Sequence, residues 1–275
     1  DIPVMPMYHP ASVNRGTPQR VLERDFSQIQ SKLATALDNG KIRKAEAGNH
    51  YLVDDIDALT AMLDRLVQAD DFGFDIETDE SEWARSRGKG EDKGGVDPIS
   101  NILVMISLAF KIDEDEGVES YVIPLADYPE GHILPSNFGY ADWSDVRSLV
   151  LSLLETHFDR CRVYIHNAKF EMESLAKYEF EIRNPYCTQN AAYLMNNETM
   201  NLKDIIRRTF SVTMTDLSKL INLKTQVFTD CPLAKSFPYS AADSEWVYRY
   251  GKWVEVELEE RGQTDLHKNI LMALV

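Results

Sequence analysis

Phe72-Gly73-Phe74-Asp75-Ile76-Glu77-Thr78 is the stretch on which the reading of this chain turns. Phe72, Phe74 and Ile76 alternate with Gly73, Asp75 and Glu77, the period-two pattern of a strand with unlike faces. One face is apolar, and the other carries two carboxylates that leave the backbone on the same side. The next strand signal, Ile102 to Ile112, is almost continuously apolar, as a strand covered on both faces must be. A third strand at Ser120–Pro124 follows the acidic turn at 113–116, which predicts a three-stranded antiparallel meander. Acids alternating along a strand are more often a solvated face than a site. Carboxylates aimed from the interior of a sheet need a cation.

Working outward, the flanks read as a mixture of strand and helix. His50–Val53 suggests a short strand, and Asp54 or Asp55 can cap a helix running to about Val67. After the meander, the pattern predicts a helix over 142–158, a strand over 162–166 and a helix opened by Asn167. Helices follow at Thr188–Met195 and Leu202–Phe210, near Leu217, at Tyr239–Arg261 and through the last residues. Strands first, then strand and helix in alternation, give an α/β class with a sheet flanked by helices. Residues 1–48 read as an extended and helical annex, 49–262 as the main domain and 263–275 as the start of a connection onward. Asp1 in place of Met and the apolar final residues suggest a piece of a longer polypeptide.

Composition bounds the function. The 275 residues are 44% hydrophobic, enough for a core, and carry a formal net charge of −16. A protein that grips nucleic acid by its overall field would be basic, so any such substrate must be held by a local site, by metal ions or with a partner's help. Three cysteines, Cys161, Cys187 and Cys231, are too few and too far apart for a disulfide framework or structural zinc, and Cys161 and Cys187 are expected to be buried thiols. The longest apolar run, Ile102–Phe110, is far shorter than a membrane span, so no membrane partner is expected, and reduced thiols fit a cytoplasmic protein.

Three segments carry chemistry-bearing residues: FDIET at 74–78, HNAKFE at 166–171 and YSAAD at 239–243. Tyr239 and Asp243 lie four apart in a helix and share a face. Each segment alone has a plain explanation: a solvated sheet face, an acid complementing a helix N-terminus, a packed tyrosine beside a surface charge. Together, in this order and spacing, they make the chain resemble the DEDD superfamily of 3′→5′ exonucleases, in the branch with tyrosine four residues before the last aspartate. The segment 188–210 looks like the linker between the second and third motifs of family A (DNA polymerase I-like) proofreading domains. The resemblance spans about residues 50–262.

The resemblance implies an RNase H-like (DnaQ-like) mixed sheet flanked by helices, and two divalent metal ions, Mg2+ or Mn2+. It also implies a single-stranded DNA 3′ end as substrate and a family A polymerase domain, in cis or in trans, of phage or bacterial origin. Asp75 would bridge the two ions, Glu77 and Asp243 would complete the ion that activates water, and Glu171 would help hold the second. Tyr239 would aim the attacking water. Thr78, Asn167 and Phe170 would orient the substrate, Phe170 by wedging or stacking the terminal base. One departure stands out: the second motif usually carries aspartate where this chain has Glu171. Two other readings stay open, an RNase D-like exoribonuclease with the same acidic motifs and a catalytically silent module that positions DNA for a polymerase.

The remaining features are weaker. Arg85, Arg87, Lys89 and Lys93 in the Gly-rich loop after the first motif are either a solvated loop or a basic flap on DNA. Lys203, Arg207 and Arg208 share a helix and could contact phosphates, although exposed helix charges usually do nothing specific. YHPASV at 8–13 is similar to a closing segment of uracil-DNA glycosylase-like domains, but six residues assign no function. His132, His157 and His267 read as surface or packing residues, and Trp246, Tyr250 and Trp253 as core.

Overall fold

The computed structural model describes residues 48–80, 97–113, 116–195, 199–223 and 225–275. The expected N-terminal helix, the glycosylase-like hexapeptide and the basic loop all lie outside these residues.

Six strands form one mixed sheet: β1 (Asn49–Leu52), β2 (Asp71–Glu80), β3 (Asn101–Phe110), β4 (Glu119–Pro124), β5 (Arg162–Ile165) and β6 (Pro185–Cys187), in the order β1-β4-β3-β2-β5-β6. The expected meander is present, since β3 pairs antiparallel with both β2 and β4. β1, β5 and β6 add parallel strands at the two sides. β3 sits inside the sheet, which is why nine of its ten residues are buried and why it reads as an unbroken apolar run.

The alternation in β2 sets the layers. Phe72 and Phe74 face helix α1 (Ile56–Leu66) and helix α2 (Trp143–Arg160), and both rings meet the Phe158 ring edge-on at 4.9 Å. Asp55 and Asp142 cap these two helices by accepting from Ala58 N–H and Asp145 N–H. Gly73, Asp75 and Glu77 therefore face the opposite layer. Helices α3 (Ala168–Ala176), α4 (Thr188–Leu194) and α5 (Leu202–Phe210) come next, followed by the 28-residue α6 (Leu233–Glu260) that lies across this face. A Cβ on Gly73 would stand 2.5 Å from Ser244 O and 2.7 Å from Tyr248 Cβ, so glycine is what lets α6 approach β2 this closely. Ser120 Oγ, donating to Ala241 O at 2.9 Å, ties the same helix to β4.

Two boundaries differ from expectation. α6 begins at Leu233, six residues before Tyr239 and through Pro238. Proline costs one backbone bond, but Leu233 and Ser236 are buried, and this packing outweighs the loss. The three-residue β6 escapes the pattern because so short an edge strand shows no periodicity. Near the chain's end, Thr264–Leu266, His267–Leu271 and Met272–Leu274 are short helical turns. They pack on β6 and α4: buried His267 lies 3.1 Å from Cys187 O, and Asn190 Nδ2 donates to Leu271 O at 3.1 Å. Cys161, Cys187 and Cys231 are buried free thiols. Trp246 and Tyr250 are core, while His132 is exposed and His157 buried.

Candidate active site

The site forms where the second half of β2, the end of β5 and the middle of α6 converge. Asp75 and Glu77 rise from β2, and Asp243 descends from α6 one residue before the Ser244 carbonyl that Gly73 accommodates. One carboxylate oxygen from each of Asp75, Glu77 and Asp243 lies within 4.8 Å of the others. The pairing register of β2 with β3 shifts between Glu77 and Thr78, just beyond these acids. Thr78 is half-buried, and Asp79 is 4% exposed. Asp79 accepts from Phe228 N–H at 2.7 Å, from Thr229 N–H at 3.2 Å and from the Thr229 hydroxyl. It thereby ties the turn Phe228–Asp230 to the end of β2.

β5 ends at Ile165, and Asn167 takes a left-handed conformation, φ 66°, which asparagine tolerates better than most residues. This turn starts α3 and sends Glu171 inward, where it is 4% exposed. Asn167 stays exposed with no capping bond from its side chain. Phe170 is half-buried, with part of its ring packed on the core. His166 is held by Thr188 Oγ1 at 3.0 Å and Met200 O at 2.7 Å, and burial pushes its pKa down to about 4. The neutral ring thus links β5 to α4 and to the residues leading into α5.

The electrostatics are those of an anionic cage. Burial first, and then the Asp243 charge, raise the Asp75 carboxyl well above its usual range. Glu77 is raised by burial, Asp75 and Asp243, and Glu171 by burial and Asp75. Asp243 is pushed up to about 6 by burial, tempered by Lys203 and by a hydrogen bond from Tyr239. The Tyr239 phenol is driven far up by burial and the carboxylates around it, so it is neutral. Glu77 Oε1 and Glu171 Oε2 are buried without any hydrogen-bond partner. Orphaned buried oxygens in a cluster of like charges are costly unless a cation joins them. An all-oxygen, carboxylate-rich donor set suits Mg2+ or Mn2+.

Of the residues singled out in the sequence, the fold brings together Asp75, Glu77, Asp243 and Tyr239, with Glu171 beside Asp75. Thr78, Asn167 and Phe170 lie around them. The sequence reading undervalued Lys203. Its side chain is only 15% exposed, and its Nζ lies 3.3 Å from Asp243 Oδ2 and 3.9 Å from the centroid of the Tyr239 ring. Arg207, on the same helix, behaves as expected of a surface charge and pairs with Asp204 at 2.9 Å. Asp79 and Phe228 were also passed over. An acid two residues beyond Glu77 was the available signal, but its partners are about 150 positions away.

Comparisons with known proteins give the family. A family profile described as 3′-5′ exonuclease matches residues 117–259, just over half of the chain. That span holds Glu171, Tyr239 and Asp243 but begins after β2, so Asp75 and Glu77 join the matched residues through the fold. No curated protein sequence matches. Among solved structures, Escherichia coli RNase D is 16% identical, with a TM-score of 0.52 over 80% of this chain and 48% of that one. The catalytic core of RRP6 from Trypanosoma brucei is 10% identical, with a TM-score of 0.54 over 87% and 58%. Brucella melitensis NrnC is 18% identical, with a TM-score of 0.50 over 80% and 87%. At these identities the likeness is one of fold. With the profile match on the sequence and the acid cluster in place, the chain belongs to the 3′-5′ exonuclease family.

Proposed function

We propose that this chain removes nucleotides one at a time from the 3′ end of single-stranded DNA, as a proofreading domain of a family A polymerase does. The observation that carries the reading is the trio of carboxylates from Asp75, Glu77 and Asp243 within 4.8 Å, with orphaned oxygens on Glu77 and Glu171. Asp75, Glu77 and Asp243 would share the metal ions, and Glu171, beside Asp75, would complete the set. The two divalent ions of this family supply Lewis acidity at the scissile phosphate and make water a nucleophile at neutral pH. Everything else falls to the chain's own groups. Tyr239, neutral and hydrogen-bonded to Asp243, orients the attacking water and does not take its proton. Exposed Asn167 and the open part of Phe170 would meet the terminal nucleotide.

DNA as the polymer rests on the likeness of residues 188–210 to the linker of family A proofreading domains. A second reading, an RNase D-like exoribonuclease, draws on the fold shared with RNase D, which is an exoribonuclease involved in structured RNA processing. Purified protein given labelled single-stranded DNA and RNA of the same sequence, with Mg2+ or Mn2+, separates the two. The expected outcome is a ladder of shortened DNA products, abolished by EDTA and by Asp75→Ala. Faster trimming of RNA selects the second reading. The absence of a ladder with either metal and either polymer leaves a silent positioning module.

A further inference from the structure

Lysine is a strongly hydrated point charge on a flexible stem, so withdrawing it from water has to be balanced by specific partners. Lys203 stands in the first turn of α5, next to buried Leu202. Asn201 caps that helix by accepting from Lys203 N–H at 3.0 Å and Asp204 N–H at 3.2 Å, which fixes where the side chain starts. Its ammonium meets three groups of different kinds. It donates to Thr215 O at 2.7 Å, lies 3.3 Å from Asp243 Oδ2 and stands 3.9 Å from the Tyr239 ring centroid. The first contact anchors it, and the other two are groups of the active site itself.

The other side of the clamp is also built. Phe228 lies 6.0 Å from the Tyr239 ring, on the turn that Asp79 ties to β2. Tyr239 and Asp243 are one helical turn apart on α6, so the ring and the carboxylate share a face. A cation on the ring face and beside that carboxylate holds both groups from one side.

We propose that Lys203 is a positioning residue for the exonuclease reaction: by bridging Asp243 and the face of Tyr239, it fixes the direction in which the Tyr239 hydroxyl points. The proposal rests on the nuclease reading of the site. Because the ammonium is engaged by Thr215 O, by Asp243 and by the Tyr239 ring, Lys203 acts on turnover and not on the grip of the substrate.

Single-turnover and steady-state kinetics of K203M, K203R, Y239F and the double variant K203M/Y239F test this. K203M lowers kcat on the order of 10- to 100-fold, the scale of a misplaced catalytic group, and leaves KM for the oligonucleotide unchanged. K203R, which keeps the charge, recovers part of the loss. In the Y239F background K203M costs little more, because the hydroxyl it directs is already gone. Losses that multiply in the double variant overturn the proposal, as does a rise in KM at unchanged kcat, which would make Lys203 a substrate contact. A measurement without turnover separates this from the function itself. In 3-fluorotyrosine-labelled protein, the 19F resonance that disappears in Y239F is that of Tyr239, and K203M shifts it. If the wild-type chain cuts nothing, the nuclease reading fails while the resonance still decides the clamp. A Tyr239 resonance unmoved by K203M disproves the clamp.

Discussion

At the scale of the residue, Glu171 is the most informative position. It stands where the resembling family usually has a shorter aspartate, and the fold accepts the extra methylene by burying the side chain to 4% exposure. Its Oε2 has no hydrogen-bond partner, and burial together with the Asp75 charge disfavours its ionised form. Glu171→Gln removes that strain while keeping the shape. In EDTA the variant is expected to melt higher than wild type by roughly 2–4 °C for each kcal/mol relieved, while nucleotide release falls by at least about tenfold, the scale expected for a lost electrostatic contact at the reacting phosphate. Scanning calorimetry and the ladder assay read the two effects. A lower melting temperature in EDTA would mean that the carboxylate already has a favourable partner. Trading stability for function in this way is common where like charges wait for a ligand. The carboxylates themselves were legible because the period of a strand and the period of a helix each put a pair on one face. Lys203 was not, because a lysine in a first turn looks the same in sequence whether it points to water or inward.

At the scale of the element, the pairing of β2 with α6 decides whether the acids meet. Gly73 makes it possible, since the nearest atoms to a new Cβ are a backbone carbonyl and a Cβ that cannot swing aside. Gly73→Ala is therefore expected to cost about 1–3 kcal/mol, the usual range for overpacking. It should also lower kcat on the order of 100-fold by moving Asp243 away from Asp75. Urea unfolding measures the first and a Mg2+ titration of activity the second. A variant with lowered stability but unchanged metal dependence would show that the helix can shift without carrying Asp243 along. The strands β2, β3 and β4 and the helix α5 were readable within a residue or two, because each has a clear period and bounding turns. The start of α6 was not, because local chemistry at Pro238 argues for a stop and only burial of Leu233 and Ser236 argues against it.

At the scale of the whole molecule, proton binding and metal binding are linked. Asp75, Glu77, Glu171 and Asp243 all have folded pKa values raised above their ordinary carboxylate values. Their contribution to stability is present below pH 3.8, the ordinary aspartate value, and is lost as pH rises through the folded values, about 6 for Asp243. His166 works in the opposite sense: held near 4 against an ordinary 6.5, it contributes fully above 6.5 and loses that contribution as pH falls toward 4. The metal-free protein is thus weakened on both sides. A divalent cation replaces the missing protons only on the alkaline side. The gain in melting temperature on adding Mg2+ should accordingly be larger at pH 8 than at pH 5, as measured by thermal unfolding against EDTA controls. Equal gains at the two pH values would show that the acids do not form the ion site.

The sequence alone determined the class of fold and the order of the strands in the meander, and it singled out the candidate acids, because those follow from local periodicity and from residue types at fixed spacing. Through the resemblance carried by FDIET, HNAKFE and YSAAD, it also pointed to a metal-based chemistry. Only the tertiary structure decided that three of the carboxylates converge within 4.8 Å, that Glu171 is buried beside them and that Lys203 closes the cluster. Those outcomes depend on how closely one helix can lie on one strand, and that distance is set by contacts between residues far apart in the chain, at Gly73 and Ser244 above all.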